Sequence, residues 1–346
     1  MHMSRLRSRS ALPALAAAAV LVLSGCGALT GSGDDSAAAA DGGGPQVVAA
    51  FYPLAWATQQ VAGDRVDVAN LTSPGAEPHD LELGIGETAE LSEADLVVYE
   101  AGFQAAVDDA VAENASGGTL DAAEVVDLIP ASEEDDHDHE GEEHAEGEHD
   151  HAGEEHADEA HSEDEAHSED EHDHGDTDPH FWQDPMRMAD LADAVADSLG
   201  EIDPDGAETY ADNAAALREE LTDLDAAYAD GLASCERDVV VVNHGAFGYL
   251  GKYGLSFEAI TGLTPDAEPT PAARAEIELL AREEGVTTVF SETLVSPEAA
   301  QSLADDLGVE MATLDPVEGL SDQTADQDYL SLMRSNLEAL QAANGC

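Results

Sequence analysis

The sequence predicts an α/β protein made of two α/β lobes joined by one long helix. Two observations support this fold class. Short apolar runs alternate with helical stretches in two separate blocks of the chain. Strands spaced by helices in this way are typical of parallel βαβ units. Between the blocks lies a stretch without Gly or Pro, from Ala207 to Asp230, which as a helix would be about 35 Å long.

The first block begins at Gln46. The runs "QVVAAFYP" and "RVDVANL" predict strands, with a short helix around Trp56 between them. The stretch "ETAELSEAD" predicts a helix that leads into the strand "LVVYE", and "FQAAVDDAVAENA" predicts another helix. This order favours a first lobe with a parallel sheet.

A low-complexity run then interrupts the block at residues 132–177. It holds 23 acids and 10 histidines, has no Lys or Arg, and contains "GEEHA" and "AHSEDE" twice each. Repetition and like-charge repulsion predict a disordered insert.

The second block follows the long helix and repeats the alternation. The helix "MRMADLADAVADSL" precedes the long helix, and four strands are predicted after it: "DVVVVN", "LSFEAI", "VTTVF" and "VEMATL". The helices predicted among and after these strands are "AFGYLGKYG", "PAARAEIELLAREEG", "PEAAQSLADDLG" and "LSLMRSNLEALQAA".

The N-terminus has the layout of a secretory signal. Arginines precede an apolar run, Ala11 to Leu23, which is too short to span a membrane as a mature helix. The run leads into "LSGC", which resembles the bacterial lipobox, so Cys26 is expected to be acylated. A secreted protein cut nearby is the alternative. The Gly-rich residues after Cys26 predict a flexible tether.

The two other cysteines, Cys235 and Cys346, are expected to form a disulfide, because an exported protein lives where disulfides persist. Two unpaired thiols are the alternative. The formal net charge of −66 makes nucleic acid an unfavourable partner and cations favourable ones.

Only three histidines lie in sequence predicted to fold after the signal: His79, His180 and His244. His244 ends the strand "DVVVVNH", and Asp315 ends the strand "VEMATLD", while His79 and His180 lie in Pro-containing loops. Ligands collect at the carboxyl ends of strands in open parallel sheets. Three imidazoles and a carboxylate suit zinc, and four protein ligands leave no position for a water nucleophile.

Several motifs in order resemble a family: "EPHD", the acidic histidine insert, "DPHFWQDP", a long helix, "NHGAFGYL", "VFSETLVS" and "TLDPVEGL". They are similar to those of the extracytoplasmic zinc- and manganese-binding proteins of bacterial ABC importers. The resemblance implies two Rossmann-like lobes with a metal ion in the cleft. It also implies a monomer on the outer face of the cell membrane, held only through its lipid, with an ABC permease and its cytoplasmic ATPase as partners.

The ligands implied by the resemblance are His79 and His180 from the first lobe and His244 and Asp315 from the second. Manganese binders of the family tend to place a carboxylate where His244 stands, so both chemistry and resemblance indicate Zn²⁺ as the transported ion. Glu292, which follows another apolar strand, is either an acceptor that orients an imidazole or a surface acid.

The insert is expected to be an accessory, because fixing a disordered ligand costs roughly 1 to 2 kcal/mol per residue. A solvated spacer is the alternative. Its candidate low-affinity ligands are His137, His139, His144, His149, His151, His156, His161, His167, His172 and His174.

We therefore expect a carrier and not an enzyme. The alternatives are a manganese or iron carrier of the same fold, a surface zinc buffer or adhesin, and an extracellular metallohydrolase, although the sequence has no "HExxH". The predicted domains are the signal peptide 1–25, the tether 26–45, the first lobe 46–205 with the insert 132–177, the linking helix 206–234 and the second lobe 235–346.

Overall fold

The computed structural model of the chain describes residues 44–131, 177–265, 267 and 269–346. They belong to one unit, Gly43–Cys346. Cys26 and the ten histidines of the insert lie outside these residues, so the predictions made for them are not addressed by the structure. The domain boundaries stay a prediction.

The first lobe is built on a parallel sheet in the order β2-β1-β3-β4. Its apolar strands β1 and β3 are the inner ones and are almost wholly buried. The elements of this lobe before the insert are β1 (Val47–Ala49), α1 (Tyr52–Ala62), β2 (Val68–Asn70), α2 (Ile85–Glu93), β3 (Leu96–Tyr99), α3 (Ala105–Asn114), β4 (Gly118–Asp121) and α4 (Ala122–Val125).

A short antiparallel pair joins the two ends of the chain that flank the insert. Strand β5 (Ile129–Pro130) pairs with β6 (Thr177–Asp178). A 3₁₀ helix, Phe181–Gln183, follows β6 and leads into α5 (Pro185–Ile202). The Asp184 side chain accepts a hydrogen bond from the Met186 amide and so caps α5. The described residues on either side of the insert therefore lie beside the "DPHFWQDP" segment.

Helix α6 (Ala207–Leu232) contacts helices of both lobes. Its buried residues recur every three or four positions, which gives it one apolar face about 39 Å long. The Asn213 side chain donates to the Val61 carbonyl of α1, whereas the Tyr228 hydroxyl donates to the Met333 carbonyl near the C-terminus. This helix matches the long helix predicted from the sequence.

The second lobe repeats the parallel arrangement in the order β10-β9-β7-β8. The two-lobed α/β fold predicted from the sequence is thus confirmed. The elements are β7 (Val239–Val242), the 3₁₀ helix Gly248–Tyr253, β8 (Ser256–Ala259), α7 (Pro271–Glu283), β9 (Thr288–Ser291), α8 (Glu298–Leu307), β10 (Glu310–Thr313) and α9 (Tyr329–Asn344).

The structure differs from the sequence prediction in several short places, among them the helix Ala122–Val125 and the 3₁₀ helix Phe181–Gln183, which were not predicted. The segment "AFGYLGKYG" forms a 3₁₀ helix that ends at Gly254, whose φ of 92° requires a residue without a side chain. Strand β4 and the pair β5–β6 were not predicted, because "GTLD", "IP" and "TD" are too short and too polar to give a periodic signal. In the described ranges, no helix is both long and apolar enough to cross a membrane.

A disulfide joins Cys235, just after α6, to the C-terminal Cys346. The pairing expected from the sequence is therefore present. The Arg237 guanidinium adds two hydrogen bonds to the Ala343 carbonyl, so the end of α9 is held to the start of the second lobe by covalent and polar contacts.

Glu100 follows β3, and its carboxyl group is buried without a hydrogen bond among the described residues to offset the cost of burial. Its exposed fraction is 2%, and neither carboxylate oxygen has a hydrogen-bond partner among the described residues. Burial raises the pKa of this carboxyl well above its usual value, and the nearby Asp178 and Asp121 carboxylates raise it further. The folded protein therefore favours the protonated form of Glu100 more than the unfolded chain does.

Removing the disulfide is expected to lower the free energy of unfolding. Its ends lie 111 residues apart, and for a loop of that length the chain-entropy model gives a loss of up to about 5 kcal/mol. Urea unfolding of Cys235→Ser/Cys346→Ser would measure the loss, with the reduced wild-type chain as the matched control. A double variant as stable as the oxidised wild type would contradict this role.

Replacing Glu100 with Gln is expected to stabilise the protein at neutral pH. The raised pKa means that the folded chain binds a proton that the unfolded chain releases above about pH 4.5, so the wild type loses stability as pH rises. Urea unfolding with a chelator present should show that the free energy of unfolding of Glu100→Gln exceeds that of the wild type by an amount that grows from pH 5 to pH 8. The same measurement on Glu113→Gln, which alters an exposed acid, gives the background. A pH-independent difference between Glu100→Gln and the wild type would contradict the prediction.

Candidate metal centre

Four buried side chains converge in the cleft between the lobes. His79 lies in the loop after β2 and His180 follows β6, both in the first lobe, whereas His244 follows β7 and Glu318 follows β10 in the second. One ligand atom from each lies within 4.8 Å of the other three. The carboxyl ends of β2, β7 and β10 thus supply three of the four, as parallel sheets allow.

The three imidazoles point the same ring nitrogen at one oxygen. Glu318 Oε1 lies 3.5 Å from His79 Nε2, 3.4 Å from His180 Nε2 and 3.2 Å from His244 Nε2. The ring centroids are 5.3 to 5.6 Å apart. This spacing lets three nitrogens and a carboxylate oxygen surround one small cation after modest adjustment.

Two of the imidazoles are held from behind by carboxylates. Asp178 Oδ1 is 2.8 Å from His180 Nδ1, and Glu292 Oε1 is 2.7 Å from His244 Nδ1. Each of these oxygens also accepts the backbone amide of the same histidine. Because an Nδ1 proton is needed for these bonds, Nε2 is the nitrogen left to face the cleft.

Glu292 lies where an acceptor that orients His244 would stand, and this role stays a prediction. Its side chain is buried and contacts His244 through both the ring and the amide. It is therefore not a surface acid.

The turn from Asp315 to Glu318 is shaped by the Asp315 carboxylate. Oδ1 accepts the Val317 amide and Oδ2 accepts the Thr293 hydroxyl. Val317 is fully buried and has a φ of 61°, a conformation that costs a β-branched residue free energy and persists only where surrounding contacts impose it. The strained residue immediately precedes Glu318 and directs it to the imidazoles.

Asp315, which we expected among the ligands, is not part of the group of four. Both of its oxygens are engaged in the turn, and burial raises its pKa to about 6. Glu318, three residues later in the quoted motif "TLDPVEGL", occupies the place expected for Asp315. The physical reason is that the strand-end acid holds the turn, while the acid beyond the turn reaches the cleft.

Residues of the first lobe support the same turn. The Trp182 indole nitrogen donates to the Pro316 carbonyl over 2.8 Å, and the Gln183 amide donates to the same carbonyl. The ring of Phe103 packs edge-on against His79, and Trp182 packs edge-on against His180. The site therefore has an aromatic wall that keeps bulk water from the imidazoles.

The electrostatics of the four groups are coupled. Burial lowers the pKa of His79. For His244, the attraction of Glu292 and Glu318 outweighs the opposite effect of burial and raises the pKa to about 10. For His180, burial is again the largest single effect and lowers the pKa, but the hydrogen bonds and charges of Asp178 and Glu318 together outweigh it and raise the pKa. Facing these imidazoles, Glu318 has its pKa held well below the usual value and stays ionised.

Two functional candidates were missed from the sequence. Glu318 stood within a quoted motif, and only the turn geometry distinguishes it from Asp315. Asp178 stands two residues before His180 in "TDPH", a spacing that lets a carboxylate reach both the amide and the ring of the histidine. Short Asp-x-His spacing is the signal that could have indicated it.

The family is shown by a sequence comparison. The family model described as zinc-uptake complex component A, periplasmic, matches residues 47–343. The zinc-binding lipoprotein AdcA of Streptococcus pneumoniae is 35% identical over 302 residues, which cover 85% of this chain and 54% of that protein. This chain therefore spans about half the length of that relative. The high-affinity zinc uptake system protein ZnuA of Bacillus subtilis is 32% identical over 330 residues, covering 94% of both chains.

Solved structures agree in fold. The Zn(II)-bound ZnuA-like domain of Streptococcus pneumoniae AdcA matches with a TM-score of 0.66 and 30% identity, over 88% of this chain and 100% of that one. The laminin binding protein Lmb of Streptococcus agalactiae, described as having adhesin and metal transporting activity, matches with a TM-score of 0.70 and 27% identity, over 87% of this chain and 99% of that one. The family expected from the sequence motifs is thus confirmed, and the chain belongs to the zinc-uptake complex component A family.

Proposed function

We propose that this protein captures one Zn²⁺ ion outside the cytoplasm and delivers it to the permease of an ABC importer. The observation that carries the proposal is the convergence of three Nε2 atoms on one buried carboxylate oxygen of Glu318. In this proposal His79, His180, His244 and Glu318 bind the ion directly, while Asp178 and Glu292 orient two of the imidazoles.

The donor set favours zinc over manganese. Imidazole nitrogens suit zinc, whereas manganese prefers sites rich in hard oxygen ligands. Three nitrogens and one oxygen also complete a tetrahedral site, and a closed tetrahedral site leaves no position for a nucleophilic water. These ligands therefore support a carrier and not a hydrolase. The relatives support the same ion, since AdcA of Streptococcus pneumoniae is a zinc-binding lipoprotein and ZnuA of Bacillus subtilis belongs to a zinc uptake system.

The mechanism follows from the distribution of ligands between lobes. Zinc bridges His79 and His180 of the first lobe to His244 and Glu318 of the second, and so stabilises the closed arrangement. Release requires a partner that moves the lobes apart. Because α6 is one continuous helix that packs on both lobes, we expect the lobes to move by small displacements and not to open widely about a hinge.

The surroundings of the carrier are part of the proposal. Acylation of Cys26 would hold a monomer on the outer face of the cell membrane, where an ABC permease receives the ion and a cytoplasmic ATPase drives import. The acidic histidine insert would gather zinc near the cleft with lower affinity than the site itself.

Glu318→Ala is expected to weaken zinc binding by more than about 100-fold, because it removes a ligand and leaves three imidazoles without their counter-charge. Asp315→Asn keeps an acceptor for the Val317 amide and should weaken binding by less than about 10-fold. Competition with a zinc chelator of known affinity would measure both. If Asp315→Asn lost more affinity than Glu318→Ala, the ligand assignment would be wrong.

Deleting residues 133–176 is expected to leave one tightly held zinc per chain, because the insert contributes none of the four ligands. In that deletion variant, His180→Ala should abolish the tight site, and excess manganese should not displace zinc from the site with His180 intact. Elemental analysis after competitive titration gives the stoichiometry. Loss of tight binding on deletion would place the site on the insert, and tight binding retained by His180→Ala in the deletion variant would show that His180 is not a ligand.

The transport step has its own test. A cell that exports the His180→Ala variant in place of the wild-type protein should fail to grow in medium that contains a metal chelator. Growth should recover when zinc is added. Normal growth of that cell without added zinc would favour a surface buffer over an importer component.

A further inference from the structure

The 3₁₀ helix Gly248–Tyr253 begins four residues after His244 and packs on the segment that carries His180. Its contacts with the first lobe include a hydrogen bond, a close approach at a glycine and an ion pair, beside a cation–π contact between Arg187 and the Tyr249 ring. The hydrogen bond and the close approach involve Asp178, which orients His180, whereas the ion pair involves no residue of the candidate metal centre.

The hydrogen bond is made by Tyr249. Its hydroxyl donates to the Asp178 carbonyl over 2.7 Å and accepts the Ile129 amide over 3.1 Å. One side chain of the second lobe thus contacts both strands of the β5–β6 pair.

The close approach is at Gly248. A Cβ atom at this position would lie 2.6 Å from Asp178 Oδ2, which is nearer than any real contact allows. The carboxylate that orients His180 therefore rests directly against the backbone of the second lobe.

The ion pair is made by Lys252, the only lysine in the chain. Its Nζ lies 2.5 Å from Asp184 Oδ1 and 2.6 Å from Asp225 Oδ1. Asp184 caps α5 four residues after His180, and Asp225 lies on α6, which links the lobes. A single ammonium group therefore ties the second lobe to both the His180 segment and the linking helix.

We propose that Lys252 is a positioning residue that holds the lobes closed and so sets the rate at which zinc leaves the cleft. This inference rests on the proposed function. The bond to Asp184 joins the lobes beside His180, so any separation that releases zinc must break it. Without the ammonium group, the two carboxylates would face each other across the same space. Asp184 would keep a more distant cation, because Arg187 Nε lies 3.6 Å from its Oδ2.

The chain offers a matched control for this ion pair. Arg218 also contacts two carboxylates, Asp190 and Asp193, and its side chain is 32% exposed, as is that of Lys252. It joins α6 only to α5, so it contributes to stability without bonding the second lobe to the His180 segment.

The test is zinc release from the full chain loaded with one equivalent of zinc and mixed with excess chelator. Lys252→Met is expected to speed the slow release phase about fivefold to tenfold, in line with the loss of a partly buried interlobe charge pair. Lys252→Arg should restore most of the slow release, and Arg218→Met should leave it unchanged while lowering stability to urea.

A double-mutant cycle tests whether Asp184 is the residue through which Lys252 acts. Asp184→Asn keeps the cap of α5 but removes the charge, so it should speed release as Lys252→Met does. The double variant should release zinc no faster than either single variant. Additive effects, or equal effects of Lys252→Met and Arg218→Met, would overturn the proposal.

Failure of the inference and failure of the proposed function give different results. A slow phase that is lost in His180→Ala but unchanged in Lys252→Met would overturn only the role of Lys252. A wild-type chain without a slow phase that depends on His180 would overturn the proposed function, and the inference with it.

A measurement on the unaltered chain covers the case in which a variant fails to fold. An amine-reactive ester should acylate Lys252 more slowly in zinc-loaded protein than in metal-free protein, because zinc keeps the lobes closed and the ion pair intact. Mass spectrometry of the peptide that contains Lys252 gives the rate. Equal rates with and without zinc would overturn the proposal.

Discussion

The structure depends on one buried carboxylate oxygen that faces three imidazoles. Glu318 Oε1 lies within 3.5 Å of an Nε2 atom of His79, His180 and His244. Such a group of polar atoms is costly to bury unless its charges compensate each other. The imidazoles lower the pKa of Glu318, while Glu292 and Glu318 raise the pKa of His244, so opposite charges on these groups stabilise each other. A divalent cation would supply the same positive charge. The cleft is thus arranged for a cation before one arrives.

The surrounding contacts serve this arrangement in both lobes. The strained Val317 directs Glu318, and the Pro316 carbonyl beside it accepts hydrogen bonds from Trp182 and Gln183 of the first lobe. Conversely, the Tyr249 hydroxyl of the second lobe donates to the backbone carbonyl of Asp178. The carboxylate of the same Asp178 orients His180. Each lobe therefore positions a metal-facing residue of the other, and the spacing of the ligands depends on how the lobes meet.

Much of this could be predicted from the sequence because the signals are regular. Apolar strands alternating with helices gave the two lobes, and the scarcity of histidine in the folded part made His79, His180 and His244 conspicuous. The choice between Asp315 and Glu318 could not be made, because it depends on a backbone angle at Val317 that no periodicity encodes. The interlobe contacts of Lys252 and Gly248 could likewise not be predicted from the sequence, since they join residues that are distant in sequence.

The most direct test of the central claim is anomalous diffraction at the zinc edge from crystals of the full chain grown with one equivalent of zinc. We predict one strong peak at about 2.0 to 2.2 Å from the Nε2 atoms of His79, His180 and His244 and from a Glu318 oxygen. A peak bound by Asp315 in place of Glu318, or one bound by histidines of the insert with the cleft empty, would contradict the claim.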